Sequence, residues 1–157
     1  MHHIGTKEIE TDRLLLRRFT KADAQAVYTN YARDDLATKY LTWPSHQDVS
    51  VTEALGDITA SIPHEFEKID ACEIGYVLSP KLWGQGYMSE AMKAVTKYLL
   101  KEAGFNRVIA RHDVANPASG KVMQKAGLQF EGIHRQGSLN NSGIIDTAQY
   151  AILKEDI

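Results

Sequence analysis

Residues 74–91, IGYVLSPKLWGQGYMSEA, constrain this chain more than any other stretch. Apolar and aromatic residues from Cys72 to Leu78 read as a buried strand. Ser79-Pro80, Gly84 and Gly86 then punctuate a tight turn, and helix-compatible residues follow from Tyr87. A strand, a glycine turn and a helix start in this order leave several backbone N–H groups pointing one way, at the positive end of a helix dipole. Such a turn seats phosphate or pyrophosphate. Without a Cβ at 84 and 86, an anion can approach the main chain closely. An ordinary tight turn would carry the same glycines, so the rest of the chain must decide.

Two common phosphate motifs are excluded. A P-loop needs Gly-x-x-x-x-Gly-Lys-Ser/Thr, and a dinucleotide fingerprint needs Gly-x-Gly-x-x-Gly. Here Gly84-Gln85-Gly86 runs into Tyr87, Met88 and Ser89. The 157 residues suit one domain, and a net charge of −2 argues against a nucleic-acid surface. No apolar run is long enough to span a bilayer, and Met1-His2-His3-Ile4-Gly5 lacks a signal-peptide core. A single cysteine, Cys72, permits no internal disulfide and fits a reducing cytoplasm. The six histidines form no ligand-spaced metal set.

Along the chain, residues 8–18 predict a first strand, and Thr20 with Asp23 a capping box opening a helix over 21–32. A second helix is expected over 47–60, after the Trp43-Pro44 break. The helix after the glycine turn places Met88, Ala91, Met92, Val95, Tyr98 and Leu99 on one face and stops at Gly104. Arg107 to His112 predicts a strand. Asn116 caps a short helix with Pro117 in its first turn and Gly127 past its end. Leu128 to His134 and Ile144 to Leu153 predict two closing strands joined by a polar loop, 136–143. The class is α/β (α+β), a mixed, mostly antiparallel sheet with helices on both faces.

These parts together resemble a GNAT N-acetyltransferase of the RimJ/RimL-like branch. Thr11-x-Arg13-Leu14-x-Leu16-Arg17 resembles the opening strand of that branch. Glu73-Ile74-Gly75-Tyr76-x-Leu78 with Trp83-Gly84-x-Gly86-Tyr87 resembles its acetyl-CoA motif, Gln/Arg-x-x-Gly-x-Gly/Ala, with the non-standard Lys81 in the first slot. Asn116-x-x-Ser119-x-x-Val122-x-x-Lys125-x-Gly127 resembles its second motif, and Asp146 with Tyr150 its closing strand. The whole chain, 1–157, then reads as one such domain. The family places a pair of antiparallel strands before the cofactor strand, and residues 61–70 are too few for both. Either this protein has lost the hairpin or roughly 20 residues are missing near Glu67–Lys68, and missing residues are the favoured reading because losing a central sheet element would expose an apolar edge.

The resemblance implies acetyl-CoA as cofactor, held by the backbone of Tyr76, Val77 and Leu78 on a strand splayed from its neighbour. Lys81, Trp83, Gly84, Gln85, Gly86, Tyr87, Met88 and Ser89 would surround the pyrophosphate, and Asn116 and Ser119 would complete the seat. Glu73 is the candidate general base, since an acid in an apolar strand is either desolvated toward a useful pKa or salt-bridged. His112 and His134 are weaker base candidates, because a histidine at a strand end is more often structural. Ser119 is a candidate proton relay or a plain helix-start hydroxyl. The tyrosine many GNATs carry seven residues after the asparagine is Met123 here. Cys72 reads as a core thiol. Tyr40, Trp43 and His46 border the expected acceptor pocket, with the 136–143 loop as its opposite wall; the aromatics there either bind the acceptor or pack the helix junction, with packing the favoured reading for Tyr40 and a mixed role for Trp43.

The first functional reading is direct acetyl transfer to a primary amine, either a protein N-terminus, such as a ribosomal protein's, or a small amine. The alternative is a non-catalytic acyl-CoA-binding sensor or assembly module. A nucleotide-binding regulatory domain is a third. A homodimer is compatible with each.

Overall fold

The computed structural model describes residues 7–42 and 56–157. Five strands form the main sheet in the order β3-β4-β5-β7-β6, with β3 at Gly56–Ser61, β4 at Ala71–Leu78, β5 at Arg107–Asp113, β6 at Gln129–Asn140 and β7 at Gly143–Leu153. Neighbouring strands are antiparallel except β4 and β5. Helices α3 (Tyr87–Lys101) and α4 (Pro117–Lys125) cover one face. Helices α1 (Ala24–Val27) and α2 (Asp35–Thr38) lie on the other. This is the mixed sheet with helices on both faces that the sequence predicts.

Strand alternation sorts the core. Cys72 and Ile74 point toward α3 and α4, where they join the fully buried Met92, Leu100, Val108 and Met123. Val77 points the opposite way, against Tyr31, Ala32 and Ala37, and Ala71 meets Ile109 and Ala151 on that same side. Helix α3 buries Met88, Ala91, Met92 and Leu99 on its predicted stripe, with Val95 and Tyr98 partly buried against the same core. It ends where the Phe105 N–H reaches the Leu99 carbonyl around the left-handed Gly104.

Gly120 packs hard against the His112 ring, and a Cβ there would lie 2.7 Å from Nε2. The ring cannot easily yield, since Nδ1 lies 2.7 Å from the Asp113 carbonyl and the ring sits 5.6 Å from Tyr150. Gly120→Ala gains helix propensity worth about 1 kcal/mol but overpacks this contact. We expect a net loss of about 1–2 kcal/mol, read as a lower midpoint in thermal denaturation.

The predicted helix over 21–32 is present as a 3-10 turn (Lys21–Asp23), α1, and a π-helical turn (Tyr28–Ala32). Asp23 accepts from the Thr20 N–H at 2.6 Å, as the capping box requires, and also pairs with Arg17 at 2.6 Å.

Three expectations are corrected. The first strand is not part of the main sheet: residues 8–18 form a small hairpin, β1 (Ile9–Glu10) with β2 (Leu15–Leu16). Its turn is held from outside, because the Glu90 carboxylate accepts from Thr11 Oγ1 and the Arg13 N–H. The end of the predicted second helix, 56–60, is instead strand β3, drawn into register along β4 from Gly56 opposite Leu78 to Ser61 opposite Glu73. The rest of that helix, 47–55, lies outside the described residues. The predicted polar loop 136–143 is mostly ladder, with β6 and β7 pairing through Asn140 opposite Gly143 around a bulge between His134 and Ser138.

One of the two antiparallel strands expected before β4 is therefore β3. Its outer edge carries no further strand among the described residues. A 3-10 helix, His64–Ile69, spans the Glu67–Lys68 step and closes at the left-handed Asp70.

Candidate functional site: a cleft between β4 and β5

The parallel strands β4 and β5 pair only from Ala71 opposite Arg107 to Glu73 opposite Ile109. Beyond that point β5 continues along β7 as far as Asp113, while β4 stays with β3 to Leu78. Over 74–78, β4 therefore has no strand on its β5 side among the described residues. This is the splay the resemblance implies, and it leaves the β5-side edge of β4 without a strand partner over Tyr76, Val77 and Leu78 among the described residues.

At the open end, Pro80–Leu82 makes a 3-10 turn and Trp83 donates through Nε1 to the Leu78 carbonyl at 2.8 Å. Gly84 and Gly86 take φ values of +76° and +84°, a region costly for residues with a Cβ. Gly86 is the N-cap of α3 and has no side chain to satisfy the first amides, so those of Tyr87, Met88 and Ser89 start the helix without a side-chain cap. Lys81, Trp83 and Gln85 are exposed around the turn, whereas Met88 is buried beneath it. Nothing lies within 4 Å of the position a Gly84 Cβ would take. Uncapped amides, open space above the turn and a neighbouring strand gap suit a pyrophosphate with an extended arm.

Arg13 braces this turn, a role the motif reading did not assign. Its Nη1 donates to the Gln85 carbonyl at 3.1 Å, Nε to Glu90 at 2.7 Å, and its guanidinium lies 4.6 Å over the Tyr87 ring. The signal was present in the Thr11-x-Arg13 motif and Glu90, 77 residues apart. Exposed charge pairs contribute modestly, so Arg13→Ala is expected to weaken acetyl-CoA binding roughly threefold to fivefold, measured by calorimetric titration.

Glu73 stands on the face of β4 shared with Gly75 and Val77. Burial pushes its carboxyl above the usual range, while Arg111, with Nη1 at 3.6 Å, pulls it back and Glu65 adds a further upward push. Both sequence readings thus hold in part: the side chain is desolvated and has a cation nearby. Arg111 is itself fixed by Gln149, at 2.9 Å.

Tyr76 points to the opposite face. Its phenol donates to the Ser119 carbonyl at 3.0 Å, which leaves the Ser119 hydroxyl to donate back at 2.6 Å. Burial pushes the phenol up to about 12. Glu73 and the Tyr76–Ser119 pair therefore lie on opposite faces of β4, Glu73 at the last position paired with β5. The side-chain role of Tyr76 was missed because its partner lies 43 residues away. Asn116 sits at the N-cap of α4 but makes no side-chain capping bond; its backbone N–H donates to Asp113 instead. Its expected cap role is thus corrected.

His112 is packed against Tyr150, with Nε2 buried and unpartnered among the described residues. Cys72 is fully buried, its thiol pushed up to about 12 by burial, as befits a core residue. Tyr40 donates to the Ala115 carbonyl at 3.2 Å, and Asn141 donates to Thr38 and Leu41 carbonyls. The chain after α2, the β5–α4 loop and the β6–β7 turn thus meet at these hydrogen bonds. Trp43 and His46 lie outside the described residues.

A splayed parallel strand pair ending in an uncapped glycine turn matches the cofactor seat that the resemblance to acetyltransferases implies. The chain belongs to the GNAT family: the model for the acetyltransferase (GNAT) domain matches residues 49–129. The protein is an N-acetyltransferase of that type, and GNAT acetyltransferases use acetyl-CoA. It is 32% identical to the uncharacterized N-acetyltransferase YnaD of Bacillus subtilis (strain 168), over 94% of this chain and 98% of YnaD. A crystal structure of a GNAT-family acetyltransferase from Bacillus anthracis superimposes with a TM-score of 0.82 at 29% identity, covering 95% of this chain and 99% of the other. The structure of RimL, a ribosomal L7/L12 alpha-N-protein acetyltransferase in complex with coenzyme A, is 28% identical with a TM-score of 0.50, covering 54% of this chain and 48% of RimL. The match to YnaD extends over 167 positions, yet 94% of this chain is about 148 residues, so roughly 20 positions of YnaD have no counterpart here.

Among the described residues no helix is long and apolar enough to cross a membrane.

Proposed function

We propose that the protein transfers acetyl directly from acetyl-CoA to a primary amine, with Glu73 as general base. The observation that carries this reading is the β4–β5 gap, which has a partly desolvated carboxylate at its paired end and the Tyr76–Ser119 pair on the opposite face of β4. Bound acetyl-CoA would supply an activated acetyl thioester. The amides of residues 84–89 would hold its pyrophosphate, with Lys81 and Trp83 beside them, and the β4 backbone at Tyr76, Val77 and Leu78 would hold its arm. The Asn116 side chain, free of a capping bond, is available to the same ligand.

Glu73 takes a proton from the incoming ammonium, directly or through water, so that the amine can attack. Its raised pKa makes it a stronger base than a solvated glutamate. A β4 N–H freed by the splay polarises the acetyl carbonyl. The Ser119 hydroxyl, turned from Tyr76 toward the departing sulfur, donates a hydrogen bond to it and relays to the thiolate the second proton that the amine loses on forming the amide, while the Tyr76 phenol stays protonated at neutral pH. This pair takes the place of the tyrosine replaced by Met123.

The acceptor enters beside Tyr40 and the β6–β7 turn, and is a protein N-terminus or a small amine. RimL supports the first class, since that relative acts on a ribosomal protein. The test is an acetyl-transfer assay pairing ribosomal-protein N-terminal peptides with a small-amine panel, each run with Glu73→Gln. Saturable CoA release with any of these amines, lost in the variant, supports the reading. Cofactor binding without release supports the acyl-CoA sensor.

The chain is read as one GNAT domain. We place its shortfall against YnaD before Gly56, because β3 already holds full register with β4 and the missing strand would belong on its outer edge. A reducing cytoplasm suits the buried free thiol of Cys72.

A further inference from the structure

A row of side chains crosses neighbouring strands on the face of the sheet that carries Glu73: Glu73 on β4, Arg111 on β5, Gln149 on β7 and Glu131 on β6. Strand register sets the row. Arg111 and Gln149 are direct cross-strand partners. Glu131 joins them through a β-bulge, the register shift between Phe130 and Gly132, which re-aims its carboxylate toward β7. The Gln149 amide is fixed at both ends. Its oxygen accepts from Arg111 Nε at 2.9 Å, and its nitrogen donates to Glu131 at 2.9 Å. A flipped amide would set N–H against N–H and oxygen against carboxylate, so one orientation satisfies the row. Arg107 pairs with the same Glu131 oxygen and holds that carboxylate in place.

The Glu73 end of the row is open by comparison. Arg111 Nη1 stands 3.6 Å from the Glu73 carboxylate, near enough to attract and too far to hydrogen-bond. A guanidinium and a carboxylate that are free to move close into a fork of short, charge-assisted bonds. Here they stay apart, because Arg111 Nε is committed to Gln149 and the guanidinium is held over the Phe66 ring at 5.7 Å. The other charge acting on Glu73 among the described residues is Glu65, from the same 3-10 helix as Phe66, and its β3 partner Ser61 is neutral. Arg111 is thus the cation whose position decides whether the Glu73 lone pairs are occupied.

We propose that Gln149, oriented by Glu131, is a positioning residue: it tethers Arg111 and keeps it from closing onto Glu73, which leaves the carboxylate free to take the proton of the incoming amine. This role rests on Glu73 being the general base. A closed fork would stabilise the carboxylate and make it a weaker base.

The test follows the Glu73 carboxyl carbon by NMR through a pH titration of the full chain carrying isotope-labelled glutamate, with the signal identified by its loss in Glu73→Gln. Gln149→Leu keeps the bulk of the side chain and removes both of its bonds. The Glu73 midpoint should then move to lower pH. The plateau kcat, with an amine that the wild type turns over, should fall about threefold to tenfold at an unchanged KM for acetyl-CoA. In an Arg111→Gln background the same substitution should move neither quantity, since nothing is left to tether. Gln149→Glu, which can still hold Arg111, should not lower the midpoint. Acetyl-CoA binding within about threefold of wild type certifies each variant as folded. A midpoint that stays or rises in Gln149→Leu, or that moves equally without Arg111, would overturn the tether. A midpoint that falls while the acid limb of the rate profile stays in place supports the tether and removes Glu73 as the base.

Discussion

Glu73→Gln is expected to lower the rate of acetyl transfer by about 10²- to 10⁴-fold, the range for loss of a positioned general base, with acetyl-CoA affinity held within about threefold. The substitution keeps the shape of the side chain and removes only its ability to accept a proton. The pH profile gives an independent check. The base works deprotonated, and burial raises its pKa. Activity should therefore fall as pH drops through a value above that of an ordinary glutamate, with the acid limb displaced to higher pH. Arg111 opposes this shift from 3.6 Å. Arg111→Gln should accordingly move the acid limb further upward, while Glu73→Gln should abolish it. An unchanged rate in Glu73→Gln would remove the carboxylate from the mechanism and leave the base to another group.

Gly86→Val carries the second large effect. Gly86 caps α3 at φ +84°, where an L-residue pays about 1–2 kcal/mol and a β-branched one more. Crowding is not the cause, since the nearest atom to a Cβ there, Arg13 Nη2, is at an ordinary 3.5 Å. The strain is relieved by rotating the turn, which redirects the amides of Tyr87, Met88 and Ser89 that would meet the pyrophosphate. Acetyl-CoA affinity should fall by about 10²-fold or more, as expected when two or three charge-assisted hydrogen bonds are lost. The core against α3 is untouched, so the protein should still unfold cooperatively.

The central unit was legible in the sequence because its signals are local. Gly84, Gly86, Gly104, Pro117 and Gly127 punctuate the chain, and the 3.6-residue apolar period between them marks α3. Strand β3 was read as helix because Gly56-Asp57-Ile58-Thr59-Ala60-Ser61 carries little alternation of its own. Its conformation comes from the β4 ladder, a partner about 16 residues away. The far half of β6 was read as loop for a related reason. Nearly all its side chains are exposed, so no buried face writes a period-two pattern into the sequence. The same division holds in the site. Glu73 and the turn amides follow from their own neighbourhood, whereas the Arg13 brace and the Tyr76–Ser119 pair join residues far apart in the chain.

The most direct test of the cofactor seat is calorimetric titration of the full-length protein with acetyl-CoA and CoA, beside ATP and NAD, in the wild type and in Gly86→Val. Saturable binding of acetyl-CoA and CoA alone, lost in the variant, is the predicted result. No binding by folded wild-type protein, or equal binding by Gly86→Val, would mean that the turn at 84–89 holds no pyrophosphate, and the transfer mechanism built on it would fall.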